Sequence, residues 1–211
     1  MSATRPLQRD QARRGYWLRH LHRWHWISAA LSLAGLLLFA LTGFTLNHAG
    51  AIEASPTVLH REASVPAALR AQLSVTSAGK DVLPKSLRDW LGQALAVPIP
   101  ARAAEWSSDE VYLSMPRPGG DAWLSIDRET GAVEYERTDR GWIAYLNDLH
   151  KGRNAGALWS WFIDLFALAC VVFALTGLIL LKLHAANRRS TWPLLGLGVL
   201  LPLLLALLFI H

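Results

Sequence analysis

Three stretches of this chain are too long and too apolar to be covered by any core that 211 residues could build in water. Ile27 to Asn47 and Pro193 to Ile210 hold no charged residue, and Leu158 to Leu181 holds only Asp164. At 1.5 Å per residue, a helix of about 21 residues spans roughly 31 Å, the depth of one hydrocarbon core. The expectation is three transmembrane helices, at 27–47, 158–181 and 193–210. Gly35 and Gly43 interrupt the first, as membrane helices tolerate where they pack closely. A chain of this length could otherwise make one or two soluble domains. Hydrophobic content of 52%, gathered into three blocks, excludes that.

Lysine and arginine set the expected orientation. Residues 1–26 carry Arg5, Arg9, Arg13, Arg14, Arg19 and Arg23 against Asp10 alone, and the 182–192 connection adds Lys182, Arg188 and Arg189. The block at 48–157 carries twelve basic and fourteen acidic residues, so the net charge of +5 resides at ends that share one side. That places the basic N-terminal segment and the short loop in the cytoplasm of a bacterial inner-membrane protein, with the middle block periplasmic. The same asymmetry accounts for the basic pI and removes the case for a nucleic-acid partner. Cys170, the one cysteine, can make no intrachain disulfide, so the exported block must hold by its own core.

That block reads as a small α+β domain. Pro84 to Val97 places Leu87, Trp90, Leu91, Ala94 and Leu95 at helical spacing, and a short helix is expected near 66–74. "DEVYLSM", "DAWLSID" and "AVEYERT" alternate in part and are punctuated by "PRPGG" and "RETG", which predicts a three-stranded antiparallel meander. "GWIAYLNDLH" predicts an interfacial helix over 141–150.

The histidines sort by depth. His22, His25 and His184 lie at the expected cytoplasmic ends of helices, and His48, His150 and His211 at the outer boundary; His20 and His60 stand apart. Imidazoles, like the ten tryptophans, are at home in an interfacial belt. Neutral imidazole is also the commonest metal ligand, and two facing histidines close the axial positions of a haem iron. Spacing alone leaves belt and haem readings open; zinc fits less well, for want of a close-spaced donor set. Asp164, placed inside a membrane segment, is a functional candidate by default.

"LHRWHWISAALSLAGLLLFALTGFTLNHAG", "YLNDLHKGRNAG" and "STWPLLGLGVLLPLLLALLFIH" resemble the PepSY-associated transmembrane family, and more narrowly its short three-helix branch. The paired "ALTG" segments, Thr42-Gly43 and Thr176-Gly177, are similar to that family's recurring signature. "SIDRETGAVEYER" looks like the strand-turn-strand of a PepSY domain. The resemblance implies an integral membrane α-helical fold with a periplasmic α+β PepSY-like domain between helices 1 and 2. Because larger relatives include haem-containing ferric-siderophore reductases, it also implies electron transfer to a periplasmic acceptor. Carried over residue by residue, it implies one or two b-type haems. An inner haem would take His184 with His25 or His22, and an outer one His48 with His150, or His211 in place of one. His25, His48, His150 and His184 are the leading axial ligands, and Arg23, Arg188 and Arg189 are candidates for propionate contacts. Three helices rather than four or more leave two routes to a complete path, one chain or a homodimer.

No GxGxxG after a strand and no P-loop is present, so the expected electron donor is a cytoplasmic partner or a quinol. The expected acceptor is a ferric siderophore, with a periplasmic redox protein as runner-up. The opposing reading is a non-enzymatic, membrane-tethered PepSY binding or assembly factor.

Overall fold

The computed structural model describes residues 4–52, 55–75, 78–185 and 188–210. Helix α1 (Thr4–Asn47) begins well ahead of the first apolar run, because Gly15 is the only glycine or proline between Leu7 and Ala34. After it come β1 (Thr57–Ser64), α2 (Ala67–Val75), β2 (Gly79–Val82), α3 (Lys85–Ala94), β3 (Ala103–Trp106), β4 (Glu110–Ser114), β5 (Gly120–Asp127) and β6 (Ala132–Asp139). Helices α4 (Gly141–His150), α5 (Ala157–His184) and α6 (Thr191–Phe209) complete the order. Helices α1, α5 and α6 are each long and apolar enough to cross a membrane, which marks a membrane protein.

The strands form one antiparallel sheet in the order β1-β6-β5-β4-β3-β2. Six strands replace the expected three. The expected trio is β4, β5 and β6, where alternation is strongest: Val111 and Leu113, Ala122, Leu124 and Ile126, and Val133 and Tyr135 all point into the core. Leu73 of α2 and Leu87 and Leu91 of α3 belong to the same core. The α3 pattern thus works as its spacing predicts, with i and i+4 leucines buried on one stripe.

The chain divides into two units, Met1–Leu37 with Asp164–His211, and Leu38–Ile163. In the first, Ser28 and Ser32 are buried on α1 and donate to the carbonyls of Trp24 and Ser28 (2.7 Å each). Back-bonding of this kind lets a hydroxyl enter an apolar seam without an unpaired proton. Gly35, one turn on, lies against the ring of Phe166 on α5, where any side chain would collide. Helix α6 has no buried residue.

In the second unit the β5–β6 turn is locked by Asp127. Its Oδ1 accepts from the amides of Thr130 (2.7 Å) and Glu129 (3.0 Å) and from the Thr130 hydroxyl (2.8 Å), and Gly131 closes the turn at φ +75°. The Thr130 hydrogen bonds hold this carboxyl below its usual value of 3.8. A carboxyl with a lowered folded value stabilises the fold above its unfolded value and loses that contribution as pH falls through the folded one. Wild type should therefore exceed Asp127→Asn in urea midpoint at neutral pH, with the advantage vanishing below pH 3.8. A pH series of unfolding curves checks this; a constant gap would place the effect in packing instead.

Candidate functional site

Helix α1 carries His22 and His25 three residues apart, hence on neighbouring positions of one face. The Nδ1–H of His22 donates to the carbonyl of Leu18 in its own helix (2.8 Å). His184, in the last turn of α5, does the same toward Leu180 (2.8 Å). The two rings face each other edge to face, with centres 6.0 Å apart and planes at 84°. His25 instead turns to α5. Its Nδ1 lies 3.0 Å from Thr176 Oγ1, and its ring stacks on Phe173 at 4.8 Å and 15°. Gly177 leaves room for the ring, since a Cβ there would sit 3.1 Å from His25 Cε1.

The second unit repeats the arrangement with different partners. His150 closes α4, and its Nδ1 lies 2.7 Å from Thr42 Oγ1 on α1. Phe39 covers the imidazole at 4.9 Å between ring centres, and a Cβ on Gly43 would lie 3.5 Å from His150 Cε1. Thr45 donates to Oδ1 of the buried Asn147 (2.8 Å), and Trp159 Nε1 donates to the Leu149 carbonyl (2.8 Å). The sheet holds α4 as well. Gly119, in the β4–β5 turn, donates its amide to Asp148 Oδ2 (2.8 Å) and accepts from the Arg140 amide (2.9 Å). His48 stands apart from His150: its Nδ1 donates to the Phe44 carbonyl (3.0 Å) and its ring leans on Phe44.

These contacts select the tautomer of each neutral ring. A carbonyl can only accept, so His22, His48 and His184 carry their proton on Nδ1. The Thr176 hydroxyl already donates to the carbonyl of Val172 (2.7 Å), and that of Thr42 to Leu38 (2.9 Å). With the hydroxyl proton committed, each threonine oxygen accepts from Nδ1–H of its histidine. In all five described candidates, His22, His25, His48, His150 and His184, Nδ1 is the engaged nitrogen, which in the neutral ring leaves Nε2 as the atom with the lone pair, the form in which imidazole binds a metal. His60 differs, spending Nε2 on Glu62 (3.2 Å), and His20 packs on Tyr16. His211 lies outside the described residues.

Among the described residues no three of His, Cys, Asp and Glu gather as a metal-binding cluster, so the donor set does not suit a structural zinc. A haem iron asks the protein for axial ligands, and His22 with His184, rings 6.0 Å apart between centres, is a facing pair of that kind. Asp164 is exposed on α5, Cys170 is a free, partly buried thiol, and Arg23, Arg188 and Arg189 have no ion pair among the described residues. What the sequence reading missed is the partnership of Thr42 and Thr176 with histidines; the repeated "ALTG" was the available signal.

Three apolar helices, a sheet domain following the first of them, and histidines whose Nδ1 atoms are engaged at the helix ends define a class of membrane protein. The chain belongs to the PepSY_TM-like family, which it matches over residues 16–211. No curated protein and no solved structure matches it.

Proposed function

We propose that this chain is a haem-containing electron-transfer protein of the bacterial inner membrane. It passes electrons from the cytoplasmic side, or from a quinol, to a periplasmic ferric siderophore or other iron chelate. The observation that carries the reading is the shared state of five boundary histidines, each with Nδ1 engaged, which in the neutral ring leaves the lone pair on Nε2. An interfacial belt has no need of a common tautomer. His184 with His22 or His25 would hold one b-type haem, and His48 with His150, or His211 in place of one of them, a second. The bound group would supply one-electron iron chemistry. The protein's own part is to orient the imidazoles through their Nδ1 contacts, with Phe173 and Phe39 covering the rings of His25 and His150.

The excess of Lys and Arg in residues 1–26 and 182–189 supports a cytoplasmic N-terminus and a periplasmic sheet. Ferric chelates arrive on that side, and reduction weakens their attraction for hard oxygen ligands by lowering the ionic charge. Protein purified in detergent after expression with ample haem should show low-spin b-type spectra, with two haems per chain by pyridine haemochrome. Mixed anaerobically with ferric chelates, the dithionite-reduced protein should reoxidise and release ferrous iron to ferrozine. Absence of haem overturns the reading in favour of a binding or assembly factor. Haem that no chelate reoxidises replaces the chelate with a periplasmic redox protein.

A further inference from the structure

Residues 39–43 and 173–177 are the same word, Phe-Ala-Leu-Thr-Gly, and in both copies the same three positions, phenylalanine, threonine and glycine, lie against an imidazole. In each the threonine oxygen meets Nδ1, at 2.7 Å for Thr42 and 3.0 Å for Thr176. The phenylalanine three residues earlier covers the ring, 4.9 and 4.8 Å between centres. The following glycine stands beside Cε1, with room for a Cβ only at 3.5 and 3.1 Å. The helix explains the grouping: i and i+3 are neighbours on its surface. The absence of a Cβ at i+1 lets the ring lie close to the backbone.

We propose that each copy is a socket for one imidazole, and that Thr42 and Thr176 are positioning residues that lock His150 and His25 as Nδ1–H tautomers and tune the metal each one binds. Each threonine is well suited to the task. Its proton is spent on the carbonyl four residues back, which leaves the oxygen an acceptor only and polarises it toward accepting. A plain serine or threonine free to rotate could donate instead and stabilise the other tautomer. A strong acceptor on Nδ1–H also makes Nε2 a more basic ligand, the usual effect of such outer partners. The socket separates His25 from His22 as well. The Nδ1 of His22 bonds within its own helix, whereas His25 is gripped across helices by the side chains of Thr176 and Phe173, with Gly177 beside the ring. The tuning role rests on the haem reading above; the tautomer role does not.

The test is therefore made in two arms on the full chain in detergent, with Thr42→Val, Thr176→Val and the serine variants of both. Valine keeps the volume and removes the acceptor; serine restores it. In ¹⁵N-histidine NMR of protein prepared without haem, His25 and His150 should show a protonated Nδ1 and an unprotonated Nε2. Thr176→Val should turn only the His25 signals into a tautomer mixture, Thr42→Val only those of His150, and serine should restore both. In the haem-loaded protein, each valine variant should raise the midpoint potential of a different spectral component and weaken retention of that haem by about 10- to 100-fold. Unchanged tautomers in both valine variants overturn the proposal, as does a shift of the same residue by both. Tautomer changes in a protein that binds no haem keep the sockets and sink the electron-transfer reading. If a valine variant aggregates, the alanine variant at the same position supplies the comparison.

Discussion

Gly119→Val is expected to pull His150 out of contact with Thr42 although it lies on another element. Gly119 adopts φ +73°, and a Cβ there would stand 2.8 Å from the N, Cα and Cβ of Tyr145 on α4. Valine in the left-handed region costs about 1–3 kcal/mol. The atoms it meets are mostly main chain, so the helix must move rather than a side chain. That movement also strains the Gly119 amide bond to Asp148 and the Arg140 amide bond to the Gly119 carbonyl. A total loss of about 3 kcal/mol in unfolding free energy is the expectation, strain and overpacking together. The ¹⁵N signals of His150 should change while those of His25 do not. Unchanged His150 signals in a folded variant would show that the turn does not seat the helix.

Leu124→Ala is expected to cost the sheet about 3 kcal/mol, within the roughly 2–5 kcal/mol range for a buried leucine truncated to alanine. Leu124 is fully buried at the centre of β5, opposite Leu113 on β4 and Tyr135 on β6. Its neighbours belong to antiparallel strands paired along their length and cannot close in on the cavity without breaking register. Leu204→Ala on α6 is the control: half exposed, it leaves no cavity. Urea midpoints followed by near-ultraviolet dichroism decide the matter; equal midpoints for the two variants would mean that Leu124 is not a core residue.

The sequence carried the elements that bury a stripe or an alternating face. Helix α3 could be read from Leu87 and Leu91, and β4 to β6 from residues that alternate into the core. Strands β1 and β2 could not. Four of the eight residues of β1 in succession and all four of β2 are exposed, so neither leaves a hydrophobic period; they are held by backbone bonds to β6 and β3. The short β3 buries only Ala104 and Trp106, too little to form a pattern. The site divides in the same way. Histidines at the ends of apolar runs are conspicuous because nothing in helix packing asks for them. A threonine inside such a run is not, because bonding to its own helix is a sufficient account of it. Its second role depends on a residue 108 or 151 positions away, which no local pattern contains.

The two sockets receive their imidazoles from opposite chain directions: His25 precedes its threonine, and His150 follows. One guest comes from a long helix and the other from the end of a ten-residue one. A five-residue word that works under both conditions owes nothing to loop length, chain order or the identity of the element facing it. The contact geometry is carried by the five residues themselves, so the same word seats an imidazole that arrives from either direction along the chain.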